Sequence, residues 1–234
     1  MRLLAFETAT EACSVALLVD GEVRERFEVA PRRHAELALP WADALLAEAG
    51  VARAQLDAIA VGRGPGAFTG VRLGIALAQG IALALDRPVV PVSTLAALAA
   101  PALRADPAHG VLSAIDARMG EVYAGAYRDR QGLPEALEGE RVLPPEAVAP
   151  PGDGPWTGVG TGFAAAQGAL AARLAGRLLR VDATALPHAA DTARLAARLY
   201  ADGAGVAPEA VEPAYLRNDV ALTLAEQAAR RGPG

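Results

Sequence analysis

The stretch from Val61 to Pro91, VGRGPGAFTGVRLGIALAQGIALALDRPVVP, constrains the fold more than any other part of the chain. The apolar run Ile59 to Val61 leads into Gly62-Arg63-Gly64-Pro65-Gly66, and Phe68-Thr69-Gly70 then opens a helical pattern of about four turns, at 3.6 residues per turn. Such a junction reads as a strand, a tight glycine loop and a helix N-terminus. The glycines there permit positive φ and close backbone approach, and the free amides at the helix start can hold an anion. The loop can equally do no more than turn the chain.

The chain before and after this junction falls into regular elements. Arg2 to Thr8 and Ala12 to Val19 alternate as strands, and Asp20-Gly21 before Glu22 to Val29 is a hairpin signal, so three antiparallel strands open the protein. Cys13 shares a face with Val15, Leu17 and Val19 and reads as a buried small hydrophobe. A helix follows from His34 to Gly50, with Pro40 allowing a bend or a late start and Gly50 as C-cap. Asp57 to Gly62 is a strand, Val89 to Val92 a parallel one, and Thr94 to Ala105 the helix expected to close the first lobe.

The pattern then restarts. Gly110 to Asp116 and Glu121 to Arg128 are strands joined by Ala117-Arg118-Met119-Gly120, with another turn from Asp129 to Gly132, a weak echo of the opening hairpin. Leu133 to Gly154 holds five prolines and is expected as a surface excursion. A strand around Thr157 to Gly160, a helix from Gly162 to Ala175, a strand from Arg177 to Val181 and a helix from Asp191 to Asp202 are expected to complete the second lobe. Pro213 to Arg217 leads the chain back, and Ala221 to Arg231 is expected as a final helix. The expected division is residues 1–106, 107–212 and a C-terminal segment 213–234 that packs back on the first lobe.

Composition excludes several classes. At 234 residues with 53% hydrophobic and 21% charged, the chain can bury a substantial core and is not disordered. A net charge of −5 argues against stand-alone nucleic-acid binding, which needs cations to displace counterions from phosphates. The one cysteine allows no intrachain disulfide. The N-terminus lacks the pattern of a signal peptide, and Gln79 and Asp86 interrupt the best candidate for a membrane span, so a cytoplasmic location without membrane contact is expected.

Four segments, in order, carry a family resemblance: Glu7-Thr8-Ala9-Thr10-Glu11-Ala12-Cys13-Ser14-Val15-Ala16; Gly62-x-Gly64-Pro65-Gly66-Ala67-Phe68-Thr69-Gly70-x-Arg72-x-Gly74; Asp116-Ala117-Arg118-Met119-Gly120-Glu121-Val122-Tyr123; and Pro213-Ala214-Tyr215-Leu216-Arg217. Together they resemble the TsaB (YeaZ) family of the actin-like ATPase superfamily. The resemblance implies an α/β, ribonuclease H-like fold of two similar lobes, each a mixed sheet flanked by helices. It implies a non-catalytic partner in forming the threonylcarbamoyl group on adenosine 37 of tRNAs reading codons that begin with A. In that scheme a TsaD-like catalytic subunit does the transfer and a TsaE-like ATPase assists. The donor is threonylcarbamoyl-adenylate, made from Thr, bicarbonate and ATP. The complex uses ATP, no cofactor is expected for this chain itself, tRNA is met only through the complex, and a homodimer can form when the chain is alone.

The residues themselves limit the chemistry. His34, His109 and His188 have no i,i+4 partner, so no metal site is expected. TsaD-like relatives carry a His-x-x-x-His pair after the matching strand, where this chain has Thr94 and Leu98. Actin-like kinases carry an Asp and a glycine turn in the first hairpin, where this chain has Glu7 and no glycine. The contacts to any nucleotide or anion are expected from Glu7, Thr8, Thr10, Gly64, Gly66, Thr69 and Asp116. Thr8 and Thr10 either keep such a contact or only hydrogen-bond the turn. Ala117 and Arg118 stand where a second phosphate loop would have glycines, and no Gly-x-Ser-x-Gly elbow is present. No catalytic residue is expected; the competing reading is a small-molecule kinase or ATPase acting alone.

The helices give an independent reason to expect a partner. On the helix after the loop, apolar residues cover most of the circumference, and Ala76, Gly80 and Ala84 form a small-residue ridge that lets another backbone come close. On the helix from His34, Leu39 and Leu46 point away from the Leu37, Trp41 and Leu45 stripe. These five residues, Leu39, Leu46, Ala76, Gly80 and Ala84, are the expected partner face, unless a further helix of the same chain covers it.

Overall fold

The computed structural model describes residues 1–217, so the expected helix from Ala221 to Arg231 lies outside the described residues. The chain runs β1 (Arg2–Glu7), β2 (Ala12–Val19), β3 (Glu22–Val29), α1 (His34–Ala49), β4 (Ala58–Gly62), α2 (Phe68–Leu85), β5 (Val89–Val92) and α3 (Thr94–Ala105). It continues with β6 (Gly110–Arg118), β7 (Glu121–Arg130), β8 (Leu133–Ala136), β9 (Arg141–Leu143), β10 (Trp156–Val159), α4 (Ala165–Arg173), β11 (Leu178–Asp182) and α5 (Ala189–Ala201).

The first sheet has the order β3-β2-β1-β4-β5 and the second β8-β7-β6-β10-β11. In each, the first three strands pair antiparallel, and the later two add in parallel beside the first. Both sheets therefore have the same 3-2-1-4-5 topology, and the echo of the opening hairpin at Gly110 is a true structural repeat. β1 lies in the middle of its sheet, which is why it is a continuous apolar run: Leu4 and Phe6 enter one core, Leu3 and Ala5 the other. β3 is an edge strand, and its alternation of Glu and Arg keeps that edge solvated. Cys13 is fully buried beside Val15 and Leu17, and burial pushes its thiol up to about 11.

α1 and α2 cover one face of the first sheet. Their buried stripes, Ala38, Ala42, Leu45 and Leu46 on α1 and Val71, Gly74, Ile75, Ala78 and Ala82 on α2, follow the 3–4 residue spacing of a helix. α1 starts at His34 and carries Pro40 inside it, and Gly50 at φ 64 supplies the left-handed C-cap. Ser93 caps α3 by accepting from the Ala96 amide.

Three expectations change. The helix that follows each lobe's last strand does not stay with that lobe. α5 lies on the far face of the first sheet, where Ala189, Ala190, Ala193 and Ala196 let it approach Leu3, Ala5 and Ala16. α3 packs Leu95, Leu98 and Leu103 against Val111, Ile115 and Tyr127 of the second. The two helices meet between the sheets and form the base that joins the lobes.

Leu133 to Gly154 is only partly an excursion. The ten-residue β7 is longer than one neighbour can cover, so β9 pairs its start and β8 its end, while Pro145 and Val148 are buried. Pro134 is accommodated because β8 is an edge strand. The expected helix from Gly162 to Ala175 is broken, because Ala166, Gln167 and Gly168 hold φ of 47, 58 and 79.

Candidate functional site

The glycine loop and α2 are filled from inside by the first hairpin. A Cβ on Gly62 would overlap the Glu7 carboxylate, one on Gly66 the Ala9 carbonyl and one on Gly70 the Thr8 carbonyl. One on Gly74 would lie 2.6 Å from Thr8 Oγ1. Among the loop's glycines only Gly64, at φ 90, has a positive φ, so at Gly62, Gly66 and Gly70 the missing side chain serves approach and not conformation. Hydrogen bonds close the junction: Ala67 N donates to Ala9 O at 2.7 Å and Thr8 Oγ1 to Gly70 O at 2.8 Å. The inner side of the glycine loop and of the start of α2 is thus packed against the turn Glu7-Thr8-Ala9.

Glu7 is 1% exposed and has no cationic partner among the groups that contact it. Burial raises its carboxyl from 4.5 to about 7, against the opposing hydrogen bonds of the Ala9 amide, the Thr94 hydroxyl, the Thr8 amide and Thr192. Burial thus favours the protonated form of this acid up to a higher pH than for an exposed glutamate.

Between the lobes lies a cleft of about 820 Å³. One wall carries Thr10, Gly66 and Thr69, the other Asp116 and Thr161, and the segment Pro213 to Arg217 also lines the cleft. Of the residues expected to meet a nucleotide or anion, Thr10, Gly66, Thr69 and Asp116 reach this cleft, whereas Glu7, Thr8 and Gly64 are buried behind its wall. Gly64 N already donates to Thr94 Oγ1, and Thr10 Oγ1 accepts from the Ala12 amide, a turn-holding bond. Asp116 accepts from the Arg118 amide at 2.8 Å and its guanidinium at 2.9 Å, while its own amide donates to Thr161 Oγ1.

The sequence did not single out two features of the rim. The Arg72 guanidinium stacks 3.4 Å from the Phe68 ring centroid and donates to Tyr215 Oη at 2.7 Å, and both rings are exposed. Arg217 reaches the opposite lobe, donating to Ala117 O at 3.2 Å and pairing with Glu121 at 2.5 Å. Their signal was in the sequence as polar and aromatic residues inside the Phe68 and Pro213 motifs, but only the fold brings the two motifs together.

The expected partner face divides. Ala76, Gly80 and Ala84 are exposed on the outer side of α2, with Leu83 at 72% beside them, and Gly80 has open space where a side chain would project. Leu39 is 45% exposed. Leu46, 5% exposed, belongs instead to the core: it lies four residues after Ala42 on the stripe of α1 that faces the sheet. No other described element of the chain covers the α2 ridge. α2 is also the one described helix with the length and composition of a membrane span, 18 residues at mean hydropathy 1.6, and its inner face packs on the first sheet.

The three histidines are scattered. His34 Nε2 sits 3.0 Å from Thr10 O, His109 pairs with Asp106, and His188 stacks on Phe27 with ring centroids 4.1 Å apart while bonding Glu25. Among the described residues no group of three His, Cys, Asp or Glu converges as metal ligands do. Thr94 is engaged with Glu7, and Leu98 is buried.

Residues 27–225 match the family described as "TsaD: tRNA N6-adenosine threonylcarbamoyltransferase". The chain is 47% identical over 225 residues to the tRNA threonylcarbamoyladenosine biosynthesis protein TsaB of Escherichia coli, covering 94% of this chain and 96% of that protein. It is 39% identical over 230 residues to the TsaB of Haemophilus influenzae, covering 94% and 95%. The structure of YeaZ from Pseudomonas aeruginosa superposes with a TM-score of 0.83 at 50% identity, over 91% of this chain and all (100%) of that one.

Proposed function

The chain belongs to the TsaB (YeaZ) family, related to TsaD, and from that premise we propose that it acts in tRNA threonylcarbamoyladenosine biosynthesis as a non-catalytic partner of a TsaD-type transferase. The observation that carries this reading is the filled glycine loop. Glu7, Thr8 and Ala9 take up the room beside Gly62, Gly66, Gly70 and Gly74, so these glycines serve the close approach of the first hairpin to the loop and helix.

The outer face of α2 supports the partner half of the reading. Ala76, Gly80, Leu83 and Ala84 make an exposed apolar ridge with no bulky side chain at its centre, a surface that another helix can approach closely. A TsaD-type subunit would take this ridge, and a second copy of the chain can do so when it is alone. A TsaE-type ATPase completes the assembly, ATP is consumed by the complex, and tRNA is bound only there.

The competing reading, a stand-alone kinase or ATPase, rests on the open cleft with Thr10, Thr69 and Asp116 on its walls. Two measurements separate them. Affinity capture with this chain from its own cell lysate should bring down a TsaD-like protein. ATP titrated into the isolated chain should show no hydrolysis approaching ~1 per second, the low end of ordinary enzyme turnover. Turnover at that rate without a partner would overturn the proposal.

A further inference from the structure

The segment that crosses the cleft is fixed almost entirely to one lobe. Val206 exchanges backbone hydrogen bonds with Val89, Pro208 O accepts from Gln79, and Val211 is buried in the first lobe's core. Ala214 N donates to Arg63 O at 2.8 Å, and Tyr215 accepts from Arg72. Among the described residues, every hydrogen bond of this stretch up to Tyr215 is internal or to the first lobe. Arg217 then spans to the second lobe's β6–β7 turn, where it holds Ala117 O and Glu121 and touches Met119 Sδ.

That turn needs holding. Arg118 and Met119, neither of them glycine, sit at φ of 63 and 57, a left-handed conformation that residues with a Cβ disfavour. The β6–β7 register also slips at this point, between Asp116 and Arg118, which weakens the ladder that would otherwise fix the turn. Met119 is 86% exposed, so no packing replaces it. The Arg217 and Glu121 side chains are 19% and 31% exposed, sheltered enough for the pair to resist salt screening.

The position of the base completes the geometry. α3 and α5 join the lobes between the sheets, and neither contributes to the lining of the cleft. Among the described residues the molecule thus has a packed base away from the cleft and one ionic crossing over it. We propose that the Arg217–Glu121 pair is a latch: carried on the strap 213–217, it holds the second lobe's β6–β7 turn to the first lobe and sets how far the interlobe cleft opens. Releasing the pair frees the turn and the strap end together and leaves both sheets intact. This device belongs to the isolated chain and does not depend on which partner it serves.

Hydrogen exchange on the full chain tests it, following peptides that contain residues 117–121 and 213–217 beside peptides from β1 and β4. Arg217→Ala and Glu121→Gln should each speed exchange in both rim peptides about tenfold, with β1 and β4 unchanged. The double variant should be no faster than Arg217→Ala alone, because truncating Arg217 already removes the pair that Glu121→Gln breaks. The exchanged pair, Glu121→Arg with Arg217→Glu, should recover much of the protection. The latch is overturned if residues 117–121 keep their protection when Arg217 is truncated, if the two single effects add, or if β1 and β4 speed up as much as the rim.

Discussion

Thr94 Oγ1 donates to Glu7 Oε2 at 3.2 Å, so the first residue of α3 holds the acid that ends β1. The same hydroxyl accepts from Gly64 N, also at 3.2 Å. One threonine thereby ties the first hairpin, the glycine loop and the helix between the lobes.

Glu7 makes stability fall as pH rises. Its folded pKa, about 7, lies above the ordinary 4.5, so the folded chain holds a proton that the unfolded chain has released between those pH values. The contribution is fully present below pH 4.5 and is lost progressively up to about pH 7, by on the order of 3 kcal/mol at 1.36 kcal/mol per pH unit. Glu7→Gln cannot ionise. Urea midpoints measured from pH 5 to 8 should therefore show the parent losing stability relative to this variant as pH rises. Parallel curves would mean that Glu7 is not the titrating group.

Two glycines of α2 should respond oppositely to alanine. At Gly74 a Cβ meets Thr8 Oγ1 at 2.6 Å and Val61 Cγ2 at 3.3 Å, so Gly74→Ala is expected to cost about 1–3 kcal/mol by overpacking. At Gly80 nothing lies within 4 Å, and Gly80→Ala is expected to raise stability by about 0.5–1 kcal/mol through helix propensity. Thermal melts of the two variants decide it, and equal shifts would refute the close packing of the hairpin on the helix.

Charge placed on the two helices should separate the surface from the core. Gly80→Arg should leave the melting midpoint nearly unchanged while weakening any self-association or TsaD binding by about 2 kcal/mol, some thirtyfold. Leu46→Glu should instead unfold the first lobe, since it buries an unpaired charge among Ala42, Leu45 and Leu56. Light scattering and a melt on each variant give the answer. A folded, dissociated Leu46→Glu protein would return Leu46 to the interface.

Purified chain dialysed against chelator should hold well under one equivalent of zinc or iron. Each histidine already has its own partner, Thr10 and Ala12 carbonyls for His34, Asp106 for His109 and Glu25 for His188, and three separate sites cannot make one coordination shell. Elemental analysis showing a full equivalent would contradict this.

The sequence by itself determined most of the elements and their order, though not β8, β9 or the break at α4. Alternation and turn chemistry placed the opening hairpin, the apolar periodicity placed α1, α2 and α3, and the glycine at position 50 marked a helix end, because these signals depend on neighbours a few residues apart. Tertiary structure decided everything that depends on distant segments. It sent α5 to the first sheet and α3 to the second, and put Leu46 inwards while Leu39 stayed out, since the sheet selects one of two apolar stripes. It also changed the meaning of the glycine loop. Read along the chain, the glycines leave open what approaches them; in the fold the Cβ positions of Gly62, Gly66 and Gly70 face Glu7, Ala9 and Thr8, more than fifty residues away, and only the packing of the hairpin against the loop shows this.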